Sequence, residues 1–231
     1  MGLRISTKKT ETMALNIDTP APVKVNGTDL PKSEKFTYLG SIIKPEGGTK
    51  EDIHSRLGKA RNVFRSMSNI WRSALYGTNT KLKLYQSCVV STLLYGSESW
   101  RMTEADLTKL CSFHTTCLRR ILRILWPEKI SNGDLLRRCG LEDMGNIITR
   151  RRWRWIGHVL RREPQSIART ALHWTPDGKR KRGRPRTTWR RTVEYEMKAM
   201  QHSWGSLTKL AQDRQRWRNF VGALDTTGCN G

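Results

Sequence analysis

The chain has 231 residues and a formal net charge of +23, because 43 Lys and Arg residues outnumber 20 Asp and Glu residues. The length allows one large domain or two small ones, and a hydrophobic content of 36% with nine Trp residues is enough for a packed core, which argues against wholesale disorder. No run approaches the roughly 18 apolar residues of a membrane span, and five Cys residues without tight spacing argue against a disulfide scaffold.

The positive charge is concentrated in one part of the chain. Residues 150–191 hold 15 basic and 2 acidic side chains, so more than half of the net charge lies in 42 residues. Together with a pI near 10.5, this predicts a polyanionic partner, for which nucleic acid is the default. The alternative is a basic surface that faces solvent and binds no partner, although such surfaces normally carry both positive and negative side chains. Because the amino terminus lacks the apolar core of a secretory signal, we expect an intracellular protein of the nucleus or cytoplasm.

The first 45 residues predict short β-strands. Asn26-Gly27 lies between alternating residues, and both central positions of a type I′ turn need positive φ, so we expect a hairpin there. The run 36–43 is rich in β-forming residues and predicts a third strand. Between these features and the amino terminus, the two Pro residues of 18–22 indicate a linker.

From Thr49 onward the apolar period becomes helical. Thr49 is a candidate cap, and one apolar stripe follows at Ile53, Leu57, Ala60, Phe64, Met67 and Trp71, with Arg56, Lys59, Arg61 and Arg65 on the other face. We expect further helices over 80–95, from Thr103 to Trp126-Pro127, and over 132–139, 146–162, 188–200 and 206–224. The fold class is therefore mainly α with a small β portion at the amino terminus. The expected regions are 1–45, 46–128 and 129–231, with an exposed linker near 174–187.

The motifs of common catalytic sites are missing from the chain. There is no P-loop, GxSxG, HExxH or paired-carboxylate motif, and two-metal phosphoryl transfer needs clustered carboxylates. Cys111, His114 and Cys117 lie on one side of a predicted helix, and Cys139 or His158 could supply the fourth ligand that zinc requires. Nothing in their spacing demands a metal, so we expect these residues to be small core side chains and no metal to be bound.

The segment 150–162 mixes a basic cluster with two Trp residues. On a helix, Arg151, Arg154, His158, Arg161 and Arg162 share one side, which suits a helix laid along a phosphate backbone. Trp153 or Trp155 could stack on unpaired bases, or both could be core residues beneath a functional Arg face. Farther along the chain, Arg182-Gly183-Arg184-Pro185 has the residues of an AT-hook core, which follows the negative potential of a narrow minor groove.

Several blocks of the sequence, taken in order, resemble one family. They are residues 2–13 and 36–41, then 94–100, 151–161 and 178–185 with Trp189. These blocks are similar to the carboxy-terminal part of the endonuclease–reverse transcriptase of non-LTR, LINE-type retrotransposons. The resemblance covers roughly residues 2 to 224.

The resemblance implies roles for particular residues. Lys9 matches an auxiliary proton donor of the palm, and the primer grip, a hairpin that positions the growing strand, matches Phe36, Tyr38, Leu39 and Gly40. Residues 1–45 would be the remnant of the palm, 46–128 a helical thumb that holds the template–primer duplex, and 129–231 a basic, Trp-rich region that helps bind the element RNA or target DNA. The side chains expected to bind nucleic acid are Arg56, Lys59, Arg150, Arg151, Arg152, Arg154, Arg161, Arg162, Lys179, Arg180, Lys181, Arg182, Arg184, Arg186, Arg190 and Arg191.

The resemblance also implies what this chain lacks. In the intact polymerase family, the Asp residues that bind Mg²⁺ precede the segment matched here. We therefore expect a fragment that binds nucleic acid backbone but has no catalytic residues and no cofactor of its own. Two alternatives remain open: a host architectural protein that binds the minor groove through Arg182 to Pro185, and a retroelement remnant without function.

Overall fold

The computed structural model describes residues 5–14, 21–44, 49–174 and 188–224. Within them, the chain is mainly helical and has two small antiparallel sheets near the amino terminus, as predicted. It divides into two compact units, Met1–His54 and Ser55–Gly231. Each unit is described separately below.

The first unit contains two β-hairpins. Strand β1 (Lys24–Val25) pairs with β2 (Thr28–Asp29), and β3 (Phe36–Tyr38) pairs with β4 (Ser41–Ile43). The predicted hairpin at Asn26-Gly27 is confirmed, since these residues have φ values of 50° and 76°.

The predicted third strand over 36–43 is wrong, because this run folds back on itself. Leu39 and Gly40 have φ values of 50° and 84°, so they form the two-residue turn between β3 and β4. Leu rarely adopts a left-handed conformation, so residues 36–43 gave no sign of a turn within their run of β-forming residues. Residues 36–43 therefore form a β-hairpin, and a hairpin is also what the similarity to the primer grip implied for this segment.

Most of the rest of the described chain is helical. They are α1 (Lys50–Ser66), α2 (Ser68–Arg72), α3 (Thr78–Leu84), α4 (Ser91–Leu93), α5 (Glu104–Leu122), α6 (Asn132–Cys139), α7 (Met144–Leu160), α8 (Ile167–His173), α9 (Trp189–Ala199), α10 (Trp204–Gln212) and α11 (Arg214–Gly222). A π-helical segment, Tyr85–Val90, joins α3 to α4. The predicted helix over 132–139 is confirmed at both ends.

Side-chain caps explain where several helices begin. The Thr103 hydroxyl accepts a hydrogen bond of 3.2 Å from the amide of Asp106 and donates one of 2.6 Å to its carboxylate. Such caps satisfy amides that have no partner within the helix. Other helices begin in the same way at Ser131, Asp143, Thr188, Ser203 and Asp213.

Three helix predictions need correction. Helix α5 ends at Leu122, before Trp126-Pro127, because Arg123 adopts a left-handed conformation with φ 56°. The single helix predicted over 206–224 is two helices, since Asp213 ends α10 and caps α11. Helix α8 was not predicted, and it buries only one side chain, Leu172.

The second unit contains two groups of buried side chains. One includes stacked rings of Phe64 and Trp71, with centroids 5.2 Å apart, and the fully buried Tyr85. The other surrounds Trp153 of α7 and brings together α7, α8, α9, α10 and α11. This second group positions the basic residues discussed below.

A buried polar pair lies in the first of these groups. Tyr85 and His114 form a hydrogen bond of 2.8 Å between the Tyr hydroxyl and Nδ1. Burial lowers the pKa of His114 from its usual 6.5 to about 4, although the charge of Asp143 opposes this shift. The imidazole is therefore neutral in the folded protein at neutral pH.

We expect this histidine to make the protein sensitive to acid. Between pH 6.5 and 4 the unfolded chain protonates His114 but the folded chain does not, so stability falls as the pH is lowered through this window. A difference of this size corresponds to about 3 kcal/mol. Urea unfolding at pH 7 and 4.5 should show that His114→Gln removes most of this loss, whereas His54→Gln, at an exposed position, leaves it in place. Equal losses in all three proteins would contradict the prediction.

Candidate nucleic-acid interface

Helix α7 carries the basic segment that the sequence pointed to. Asp143 caps it by accepting a hydrogen bond of 2.7 Å from the amide of Gly145. Trp153, Ile156 and Leu160 are fully buried, at intervals of three and four residues that place them on one face. Arg154 and His158, four residues apart, are exposed.

Helix α11 packs directly on α7 at a glycine. Trp217 of α11 lies against Gly157, where an added Cβ atom would overlap the indole ring. The Trp217 indole nitrogen donates a hydrogen bond of 3.1 Å to the carbonyl of Trp153. Because Gly157 has no side chain, the two helices approach closely enough for their outer faces to form one surface.

A groove of about 610 Å³ runs along this surface. Its lining contains five basic side chains and no carboxylate. They are Arg154, His158 and Arg161 from α7 and the residue after it, and Arg214 and Arg218 from α11; Trp217, Val221 and Gly222 complete the lining. We call this the α7–α11 groove.

Most of the guanidinium groups in the α7–α11 groove have no counter-charge. In the part of the chain that the structure describes, Arg154, Arg214 and Arg218 make no hydrogen bond or ion pair through their side chains. Arg161 donates a hydrogen bond of 3.1 Å to the carbonyl of Ala211. Burial, and then the charge of Arg214, lowers the pKa of Arg161. A bound anion would relieve this repulsion between like charges.

The edge of the groove contains a further basic residue. The Arg162 guanidinium and His158 Nε2 are 3.1 Å apart. A guanidinium can only donate, so His158 Nε2 accepts this hydrogen bond. Arg162 is exposed, and it therefore adds a full positive charge beside the groove.

Two of the predicted binding residues lie in the interior. Arg152 is 2% exposed and forms an ion pair with Glu196, whose other oxygen accepts a hydrogen bond of 2.8 Å from the Trp153 indole. Arg56 is 7% exposed, and its guanidinium lies 4.4 Å from the centroid of the Tyr95 ring. Both side chains are out of reach of a phosphate, so we do not include them in the interface.

Three further arginines are engaged with acidic partners. Arg150 forms an ion pair with Glu142, Arg151 lies 3.8 Å from the Glu98 carboxylate, and Arg190 lies 2.9 Å from that of Glu194. They are half-buried and support the packing of α7 and α9. Lys59 and Arg191 are exposed and lie outside the α7–α11 groove.

The two tryptophans of α7 have different environments. Trp153 is fully buried, so it cannot stack on a base. Trp155 is 39% exposed and forms an edge-to-face contact with Trp189, with ring centroids 5.8 Å apart. Its position fits partial stacking on a ligand, in contrast to Trp153.

The residues matched to the reverse transcriptase palm lie in the first unit. Lys9 is exposed at the end of a short 3₁₀ helix, Thr7–Lys9. Tyr38 and Leu39, at the tip of the β3–β4 hairpin, are 57% and 73% exposed. The six basic residues predicted in the linker lie outside the described residues, as does the AT-hook-like run that contains two of them; the six are Lys179, Arg180, Lys181, Arg182, Arg184 and Arg186.

Sequence reasoning missed two members of the groove. Arg214 and Arg218 are four residues apart on α11. This spacing, which places two residues on the same face of a helix, was the one signal in the sequence that could have identified them. Residues 192–231 carry 5 basic and 4 acidic side chains, so the net charge of this segment did not indicate a basic surface.

Of the candidate metal ligands, His114, Cys117 and Cys139 are buried, Cys111 is partly buried, and His158 is exposed in the α7–α11 groove. Burial raises the pKa of the Cys117 thiol to about 12, and His114 is bonded to Tyr85. Among the described residues, no three His, Cys, Asp or Glu side chains form a group that could hold a metal ion. No helix in the same parts of the chain is long and apolar enough to cross a membrane.

Comparison with known proteins gives one informative similarity. The chain is 25% identical over 229 residues to an uncharacterized transposon-derived protein of Caenorhabditis elegans, and the match spans 94% of this chain and 82% of that protein. It indicates a transposon-related origin. No family model matches the chain, and no solved structure matches it.

Proposed function

We propose that this protein is the nucleic-acid-binding part of a retroelement reverse transcriptase, and that it holds a phosphate backbone in the α7–α11 groove. The observation that carries the proposal is the groove itself, which is lined by four Arg and one His without a single carboxylate. The partner would be the element RNA, a template–primer duplex or the target DNA.

The chemistry of the lining fits phosphate. A guanidinium presents several donors in one plane and can pair with two phosphate oxygens at once. Arg154 of α7 and Arg161, the residue after it, lie seven residues apart, and Arg214 and Arg218 lie four apart on α11, so each helix contributes one row of charges. Such rows suit a sugar–phosphate backbone, and they read no base sequence.

The origin of the chain supports the retroelement part of the proposal. The similarity to a transposon-derived protein extends over nearly the whole chain, and the sequence blocks around Lys9, Leu39 and Trp153 resemble LINE-type reverse transcriptases. The described residues do not fit the Mg²⁺ site of the intact polymerase, because they bring no carboxylates together in a group that could hold a metal.

The direct test removes charge from the α7–α11 groove. We expect the triple variant Arg154→Ala/Arg214→Ala/Arg218→Ala to bind duplex DNA more weakly. Each lost phosphate contact should reduce the magnitude of the slope of log K against log salt by about 0.9, or by about 3 for all three. Fluorescence anisotropy of a labelled duplex at several salt concentrations measures both quantities.

The control variant carries the same change in net charge. Lys83, Lys109 and Lys198 are exposed and lie outside the groove lining, so the triple variant Lys83→Ala/Lys109→Ala/Lys198→Ala should keep a salt slope within about 1 of the unmodified protein. If the two triple variants lose the same affinity and slope, the charge acts diffusely and the groove is not the binding site.

A further inference from the structure

A second basic groove, of about 760 Å³, lies between α1–α2 and α5. Four arginines line it, and again no carboxylate does. They are Arg65 and Arg72 on one side and Arg120 and Arg123 on the other, with Phe64, Ser68, Trp71 and Leu125 completing the lining. We call this the α1–α5 groove.

The arginines of the α1–α5 groove are mostly unpaired. Within the described ranges, Arg65, Arg72 and Arg120 make no hydrogen bond or ion pair through their side chains, while Arg123 donates to the backbone carbonyl of Arg72. The neighbouring Arg119 is different, because it donates hydrogen bonds of 3.0 Å to the Ile130 carbonyl and to the Asn132 side chain. The hydrogen bonds of Arg119 thus hold it within the fold, whereas the guanidinium groups of Arg65, Arg72 and Arg120 are available to bind a ligand.

Exposed apolar side chains continue from the edge of this groove. Leu125 lines the groove and is 72% exposed, and the next residue, Trp126, is 89% exposed. In the described part of the chain, the Trp126 ring contacts no other aromatic ring. Exposing an indole to water costs free energy, because burial stabilises a large aromatic side chain.

We propose that the α1–α5 groove binds single-stranded nucleic acid, with phosphates on Arg65, Arg72 and Arg120 and an unpaired base stacked on Trp126. A positively charged groove beside an aromatic platform is the arrangement that holds single strands without regard to sequence. Bases in a duplex are already stacked on one another, so only an unpaired base offers a free face to Trp126. The inference rests on the proposed function in that the ligand is nucleic acid, but it concerns a separate groove.

The test compares two probes, a labelled 12-nucleotide oligothymidine and a labelled duplex of mixed sequence. Stacking of one base corresponds to a loss of about 5- to 150-fold in affinity when the aromatic ring is removed. We expect Trp126→Ala to weaken binding of the oligothymidine by that factor, Trp126→Phe to keep most of the affinity, and duplex binding to change less than about twofold in both. Tyr195→Ala removes an aromatic ring that is 76% exposed outside both grooves, and it should have no effect.

The results separate the inference from the proposed function. If Trp126→Ala leaves oligothymidine binding unchanged while the triple variant of the α7–α11 groove still loses duplex binding, the inference fails and the proposed function stands. Equal weakening of both probes by Trp126→Ala also overturns it, because a stacking platform must favour unpaired bases. If the unmodified chain binds neither probe, both proposals fall. Trp126 is on the surface, so its variants should keep the thermal unfolding curve of the unmodified protein.

Discussion

Glu196→Gln is expected to lower the free energy of unfolding by about 3–5 kcal/mol, because it leaves the buried charge of Arg152 without a counter-charge. The Arg152 side chain is 2% exposed and that of Glu196 is 16% exposed. Water can therefore do little to solvate the Arg152 guanidinium once the carboxylate is removed. The carboxylate also accepts the indole hydrogen bond of Trp153. Urea unfolding at pH 7 measures the loss.

Two further variants show whether the buried charge is the cause. Replacing both partners, as Arg152→Met/Glu196→Gln, should recover stability to within about 1 kcal/mol of the unmodified protein, since no buried charge is left unpaired and the new amide oxygen can still accept the Trp153 indole hydrogen bond. On the same helix, Glu194→Gln breaks a half-exposed pair with Arg190 and should cost less than about 1 kcal/mol. If Glu196→Gln costs no more than Glu194→Gln, the buried pair does not stabilise this fold.

Gly157→Ala is expected to lower the free energy of unfolding by about 2–4 kcal/mol. Alanine is the better helix former by about 1 kcal/mol, but the added methyl group occupies the position of the Trp217 indole. Displacing a buried Trp costs about 3–5 kcal/mol, so the loss dominates. Because α11 carries Arg214 and Arg218, the variant should also weaken duplex binding at a temperature where it remains folded.

Gly58→Ala is the matched control for this substitution. Gly58 also lies inside a helix, α1, but an added Cβ atom there would meet nothing within 4 Å. We expect this variant to be as stable as the unmodified protein or up to about 1 kcal/mol more stable. Thermal and urea unfolding of both glycine variants provide the comparison. Equal stability of Gly157→Ala and Gly58→Ala would show that α11 does not pack on α7 through Trp217.

The features that the sequence predicted well are local ones. The bounds of α6 and the start of α5 follow from caps and apolar spacing within a few residues, and Thr103, where α5 was predicted to begin, is its cap. The turn at Leu39-Gly40 was missed because Leu is not a usual turn residue, although the geometry is that of the Asn26-Gly27 turn.

The candidate site was predictable only in part, because its two halves are distant in sequence. The basic face of α7 is visible as Arg154, His158 and Arg161, but their partners Arg214 and Arg218 meet them only through the packing of Trp217 on Gly157. The same packing decides which Trp is buried. Trp153 faces α11 with Ile156 and Gly157, and Trp155 therefore points to the other side.

Charge counted along the chain is a poor guide to charge on the surface. Of the basic residues predicted to bind nucleic acid, Arg152 is buried and Arg150 and Arg151 pair with carboxylates. The α7–α11 groove is basic because its arginines come from both a strongly basic and a nearly neutral segment, and no carboxylate lines it.

The salt dependence of duplex binding by the unmodified chain tests the central claim most directly. About five to eight phosphate contacts are within reach of the available basic side chains, and they predict a slope of log K against log salt between about −4.5 and −7. A measured slope in that range would support a protein that holds the phosphate backbone. A slope shallower than about −2, or no binding at low salt, would contradict it.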